Sequence, residues 1–356
     1  MTGGLLIYGA NGYTGELTAR FAAERKQQAM VAGRSAERVR AVADRYGFEH
    51  RVFGLDDPEA LVAGLAGVGV VLHCAGPFSR TSKPMIDACL AVRAHYLDIT
   101  GEISVFESAA ARDADARSAG VMLLPGTGFD VVPSDCLALH VARKLPDAHE
   151  LTLGFFGLGS VSHGTATTMV ENVHRGGFVR RDGKLTPVPT GSLVRDIDYG
   201  DGSGQKRSMA IPWGDVSTAF HSTRIPNIEV YVPATSAMIW GARIGSRFGA
   251  VLGSDKVQSF LKRRIDARPA GPTDEQRKRG TSFLVAEARN PAGRSAKAWL
   301  QTPEGYTLTA LTSLEIAKRA LAGEVEKGFS TPAKLLGPDF ILGFEAVRRR
   351  DDDDVA

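Results

Sequence analysis

Cysteine is scarce. The 356-residue chain has three, Cys74, Cys89 and Cys136, and no Cys-x-x-Cys pair. Neither a disulfide framework nor a zinc site has the spacing it needs, so no metal is expected and a cytoplasmic, reducing compartment is. Excess charge of one sign is also lacking: 43 Lys and Arg stand against 40 Asp and Glu. No basic field therefore points to nucleic acid. The run Arg348 to Arg350 is answered at once by Asp351 to Asp354 and reads as a frayed, solvated end. The longest apolar stretch, 61–78, is divided by Gly64, Gly67, Gly69 and Pro77, which excludes a membrane span there. No secretory leader precedes the first apolar run, which leads directly into a glycine turn. There is no internal repeat. With 43% apolar and 23% charged residues, what remains is an ordinary soluble globular chain of about two domains.

The first 135 residues alternate short apolar runs with helical patterns, as parallel βα units do. Strands are expected at 4–8, 29–33, 50–53, 69–74, 95–98 and 121–124. Helices are expected at 13–23, 36–46, 58–65 and 84–92, the third with Asp57 as N-cap and Pro58 at N1. Strands this apolar are buried on both faces. After about residue 150 the runs lengthen and partly alternate, as in an antiparallel sheet, with helical patterns at 163–174, 236–264 and 311–322. Turn-rich stretches at 180–196 and 198–208 read as exposed loops or hairpins. The expected fold is α/β: an N-terminal doubly wound parallel sheet of the Rossmann type over 1–135, then an α+β domain on a mainly antiparallel sheet over 136–310. A segment over 311–356 is expected to pack back on the first domain.

Gly9, Gly12 and Gly15 form G-x-x-G-x-x-G between the first strand and the first helix. Such a turn either cradles a pyrophosphate or merely joins strand to helix. The repeated βα units that follow favour the dinucleotide. At the end of the second strand, where an NAD-selective site would carry Asp or Glu, stand Arg34 and Ser35; a guanidinium there suits a 2′-phosphate and favours NADP(H). A Gly-Pro turn at Ala75, Gly76, Pro77 and Phe78 ends the fourth strand, either beside the switch-point crevice or simply as a strand terminator.

The stretches YGANGYTG (8–15), AGRS (32–35), AGPF (75–78), DACLAVRAHYLDITGE (87–102) and GTGFDVVPSD (126–135) resemble the saccharopine dehydrogenase-like oxidoreductases, nearest to the trans-acting enoyl reductases. The likeness runs through the first domain and returns at GFSTPAKLLGPDF (328–340); residues 178–300 carry it poorly. It implies NADPH-dependent reduction of an enoyl C=C in a lipid or polyketide-derived acyl substrate. A saccharopine-type imine or carbonyl substrate is the enzymatic alternative, and a non-catalytic NADP(H)-binding sensor or scaffold the alternative of another class. The resemblance places Gly9, Asn11, Gly12, Tyr13, Thr14 and Gly15 on the pyrophosphate, Arg34 and Ser35 on the adenosine phosphate, and Ala75 to Phe78 along the nicotinamide.

No tyrosine begins a Tyr-x-x-x-Lys, so the short-chain dehydrogenase acid–base pair is missing. Candidate proton donors are Asp130, after the sixth strand; Glu102, which either caps a helix or faces substrate; and His163, whose ordinary pKa lies near neutrality. Asp135 reads as a helix cap rather than a catalytic group. Hydride transfer is expected in the crevice between the domains. The segment 236–252 has a broadly helical apolar period with Arg243 and Arg247 beside it. It fits a core helix, a homodimer face, or a peripheral contact with the inner face of the plasma membrane that admits an acyl chain.

Overall fold

The computed structural model describes residues 3–352 except 158, 160–161, 165, 168–175, 248–253 and 267–268. The chain forms two compact units, Met1–Val132 with Tyr306–Leu335, and Pro133–Gly305 with Leu336–Ala356. The segment 311–356 is therefore divided between them and does not belong as a whole to the first unit.

The first unit is a seven-stranded sheet in the order β15-β6-β5-β4-β1-β2-β3. Its strands are β1 Gly4–Tyr8, β2 Ala29–Gly33, β3 Glu49–Val52, β4 Val68–His73, β5 His95–Asp98, β6 Met122–Leu124 and β15 Gly328–Phe329. Every pairing is parallel. Leu5, Leu6, Ile7, Val70, Val71 and Leu72 are fully buried, which is why these runs carry no polar alternation. The order reverses on either side of β1, so the carboxyl ends of β1 and β4 flank the switch point.

The connecting helices are α1 Tyr13–Glu24, α2 Ala36–Tyr46, α3 Pro58–Gly64, α4 Phe78–Val92, α5 Ile103–Ala110 and α6 Asp113–Ala119. Asp57 caps α3 as its sequence implies, accepting from the N–H groups of Glu59 and Ala60. Helix α4 starts six residues before its expected Pro84 and runs through that proline. The reason is distant in sequence: the Glu102 carboxylate accepts from the Phe78 N–H (2.8 Å) and the Ser79 N–H (3.2 Å), satisfying amides of the first turn. Helices α5 and α6 have eight and seven residues, too few for an apolar period to stand out.

The second unit opens with α7 Val132–Lys144 and is built on a sheet with the main path β10-β11-β12-β7-β13-β14-β16. The strands are β7 Glu150–Phe156, β8 Gly177–Arg181, β9 Lys184–Val188, β10 Val194–Asp198, β11 Gln205–Ala210, β12 Asn227–Pro233, β13 Thr281–Arg289, β14 Ser295–Pro303 and β16 Arg348–Asp351. The β12–β7 pair is parallel and the other pairings are antiparallel. The two turn-rich stretches contribute the hairpins β8–β9 and β10–β11.

Helices in this unit include α8 Asp215–Thr223, α9 Ser236–Arg247, α10 Asp255–Asp266 and α11 Asp274–Arg279. The 236–264 pattern thus holds two helices, and most of the helix expected at 163–174 lies outside the described residues. Helix α12 Gly305–Leu321 covers the 311–322 pattern except for its last residue and is followed by α13 Pro332–Leu336.

The basic–acidic tail is not frayed through Asp351. Strand β16 pairs with β14, the Arg350 guanidinium lies 4.2 Å from the Trp299 ring centre, and Lys144 donates to Asp351 at 2.7 Å. A partner strand and an aromatic face hold arginines that charge alternation alone would leave in solvent. Asp135, buried in the first turn of α7, accepts from the Ser222 hydroxyl at 2.6 Å.

Candidate functional site

The three glycines of the opening turn do different work. Gly9 has φ +82°, a left-handed conformation that favours glycine, and a Cβ there would come within 2.8 Å of Ala75. On Gly15, a Cβ would stand 2.3 Å from the Gly9 carbonyl oxygen, so this glycine lets α1 pack on β1. Gly12 differs. Its backbone is extended (φ −89°, ψ 163°), it is exposed, and a Cβ would meet only the Gly9 oxygen, at 3.4 Å. The fold requires the first and third glycines; the second leaves the approach to the N-terminus of α1 clear, and no side chain caps that terminus.

The neighbouring candidates converge here. Gly9 abuts Ala75 at the end of β4, and a Cβ on Gly33 would stand 2.7 Å from Asn11 Oδ1, so Asn11 lies against the end of β2. Tyr13 packs edge-on against Tyr306, with ring centres 5.1 Å apart, and the Thr14 carbonyl accepts from the Thr18 hydroxyl. Arg34 is exposed. Ser35 precedes α2 with its hydroxyl unused as a cap. Phe78 is turned inward, its ring 5.4 Å from His73 and its N–H held by Glu102, while Gly76 is exposed.

These residues fit an NADP(H) dinucleotide. They offer an uncapped helix terminus behind a glycine that no packing demand explains, and an exposed guanidinium beside the strand end where the 2′-phosphate falls. Arg34→Ala should weaken NADPH binding about ten-fold or more and leave NADH nearly unchanged, because only NADPH loses a charge-assisted bond. Calorimetry with both nucleotides checks this, and equal losses would remove Arg34 from the phosphate.

Carboxyl groups gather at the ends of β5 and β6. Asp98 is fully buried and accepts from the Tyr96 hydroxyl (2.6 Å), the Thr100 N–H (3.0 Å) and the Gly126 N–H (2.8 Å). Burial still lifts its pKa to about 6. With three donors fixed on it, Asp98 ties the two strand ends together. Asp130 is partly buried and lies against Gly101, where a Cβ would be 3.1 Å from its Oδ2. Burial raises its carboxyl to about 7, so protonated and ionised forms are both populated at neutral pH. Glu102 is occupied as the cap of α4. His163 belongs to the second unit, and its N–H donates to the Ala270 carbonyl at 3.0 Å.

Two residues of this region carry no signal in sequence. Asp98 reads as the polar end of a strand, and its neighbours arrive from β6. His73 is fully buried with neither ring nitrogen hydrogen-bonded, and burial lowers its pKa to about 3. It is a neutral ring packed among Tyr8, Phe78 and Tyr96. Among the described residues there is no group of three or more His, Cys, Asp or Glu placed to hold a metal, and no helix is long and apolar enough to cross a membrane.

Parallel order, switch point and glycine cradle define a doubly wound dinucleotide-binding unit. More particularly, residues 5–124 match the family model of the saccharopine dehydrogenase NADP binding domain. A Mycobacterium tuberculosis protein named among the trans-acting enoyl reductases is 34% identical over 182 residues, 47% of this chain and 43% of its own length. The trans-acting enoyl reductase of Mycobacterium ulcerans is 31% identical over 148 residues, 39% of this chain and 35% of its own. The matched stretches thus span less than half of either relative. The fold is shared with apo saccharopine dehydrogenase (L-Glu forming) from Saccharomyces cerevisiae, at a TM-score of 0.64 and 10% identity, covering 98% of this chain and 100% of that one.

Proposed function

We propose that the protein is an NADPH-dependent reductase acting on the C=C bond of an enoyl group in a lipid or polyketide-derived acyl substrate. The observation that carries a catalytic reading over a passive nucleotide-binding one is Asp130. Burial raises its carboxyl to about 7, so a protonated fraction persists at neutral pH, at the same carboxyl edge of the sheet as the dinucleotide cradle. The choice of an enoyl group rests on the relatives named as enoyl reductases.

The cofactor supplies the hydride when bound. The chain's own part is to hold and orient it: Gly12 and the first turn of α1 take the pyrophosphate, Arg34 and Ser35 the adenosine phosphate, and the Ala75–Pro77 main chain the nicotinamide side. Hydride addition at the β-carbon leaves the α-carbon needing a proton, and Asp130 is assigned that donation.

Loss of NADPH absorbance with a long-chain 2-enoyl thioester, set against an imino acid, tests the reading. Turnover is expected with the first and little with the second. Turnover only with the imino acid would move the protein to saccharopine-type chemistry; tight NADPH binding with no turnover on either would leave a sensor or scaffold.

A further inference from the structure

Helix α9 faces the wrong way for a core helix. Ile239 is buried beside Met209 and Ala234, with Ala242 packed against them. The Arg243 Nε donates to the Gly191 carbonyl at 2.7 Å. These three anchor one side. On the helical wheel the opposite side carries Ala237, Trp240, Gly241 and Ile244, with Met238 on its flank. Trp240 is 65% exposed, Met238 55% and Ile244 50%, and a Cβ on Gly241 would meet nothing within 4 Å. The core expectation therefore fails for Trp240; large apolar side chains grouped in the open mark a contact surface.

Charge indicates what covers it. From 236 to 266 the sequence has six basic residues, Arg243, Arg247, Lys256, Lys262, Arg263 and Arg264, and two acidic residues, Asp255 and Asp266. The segment is thus net +4 in a chain whose total is +3. Helix α10 repeats the design. Phe260 is 51% exposed, Arg263 and Arg264 are exposed at i+3 and i+4 from it, and the Arg264 guanidinium lies 5.5 Å from the Phe260 ring centre. Exposed Trp and Phe with arginines alongside and a threefold excess of basic over acidic residues is the composition of helices that lie in the headgroup layer of an anionic bilayer. A self-complementary protein face would have to bring two such positive patches together.

We propose that α9 and α10 dock the protein on anionic membrane surfaces, with Met238, Trp240, Ile244 and Phe260 entering the interface and Arg263 and Arg264 meeting lipid phosphates. The docking is independent of which substrate the crevice takes.

The test is co-sedimentation of the full chain with vesicles of phosphatidylcholine alone and with about one-third phosphatidylglycerol. Binding should be at least about ten-fold tighter to the anionic vesicles and weaken at high salt. Trp240→Ser with Ile244→Ser should abolish it while the denaturant midpoint stays put, since exposed positions contribute little to stability. Arg263→Gln with Arg264→Gln, which removes no apolar group, should weaken it roughly ten-fold. No binding to anionic vesicles, equal binding to both kinds, or binding that neither double variant reduces would overturn the proposal. So would a dimer in analytical centrifugation that Trp240→Ser with Ile244→Ser splits while vesicles go unbound, which would assign the face to a second copy of the chain.

Discussion

Asp130→Asn should lower the rate of NADPH oxidation with an enoyl thioester by roughly 10² to 10⁴-fold, the usual contribution of a positioned general acid, while NADPH affinity changes little. The pH dependence gives the residue a signature of its own. Its carboxyl is raised to about 7 by burial, so the wild-type rate should hold below that pH and fall on the alkaline side as the proton is lost; the Asn variant should show no such limb. Stability supplies a second readout with a fixed sign. A carboxyl raised in the folded state loses stability as pH climbs from its unfolded value near 4 to its folded value near 7. Asp130→Asn should therefore be the more stable protein at pH 8, by roughly 4 kcal/mol at most, and the difference should shrink toward pH 4. A variant that keeps its rate and its alkaline limb would show that Asp130 donates nothing to substrate. A variant that loses rate without gaining stability at pH 8 would point to a displaced loop rather than a missing proton.

The parallel sheet was legible because burial on both faces leaves an unbroken apolar run, and β1, β2 and β5 begin and end within a residue of where those runs do. What sequence could not show were elements fixed from a distance. Glu102 starts α4 from 24 positions away, and β16 is held by β14, Trp299 and Lys144 although its own residues are all charged. The site divides the same way. Gly9, Gly12, Gly15 and Arg34 could be named from spacing after a strand. Asp98 and His73 could not, because the neighbours that bury them come from other strands and helices. The amphipathic segment was legible as a helix but not in its orientation. The period of 236–244 is the same whether Ile239 or Trp240 turns inward, and only packing against Met209 and Ala234 decides it.

Gly12→Val should fold as the wild type and bind NADPH at least about a hundred-fold more weakly, a loss of roughly 3 kcal/mol. The expectation follows from how unequal the three glycines are. The backbone of Gly12 is already in the extended region that valine prefers, and the nearest obstacle to its Cβ is one carbonyl oxygen at 3.4 Å, so the folded chain has little reason to object. A pyrophosphate drawn to the first turn of α1 does: the branched side chain occupies the space over the helix terminus through which the main-chain amides reach the phosphates. Gly15→Ala is the opposite control. Its Cβ would lie 2.3 Å from the Gly9 oxygen, so it should destabilise the unit by roughly 1–3 kcal/mol through overpacking, with any loss of binding tracking the loss of fold. Calorimetric titration with NADPH and denaturant melts on both variants separate the two effects. A Gly12→Val protein that melts normally and keeps its NADPH affinity would reduce the glycine turn to a joint between strand and helix, and would move the phosphate site away from α1.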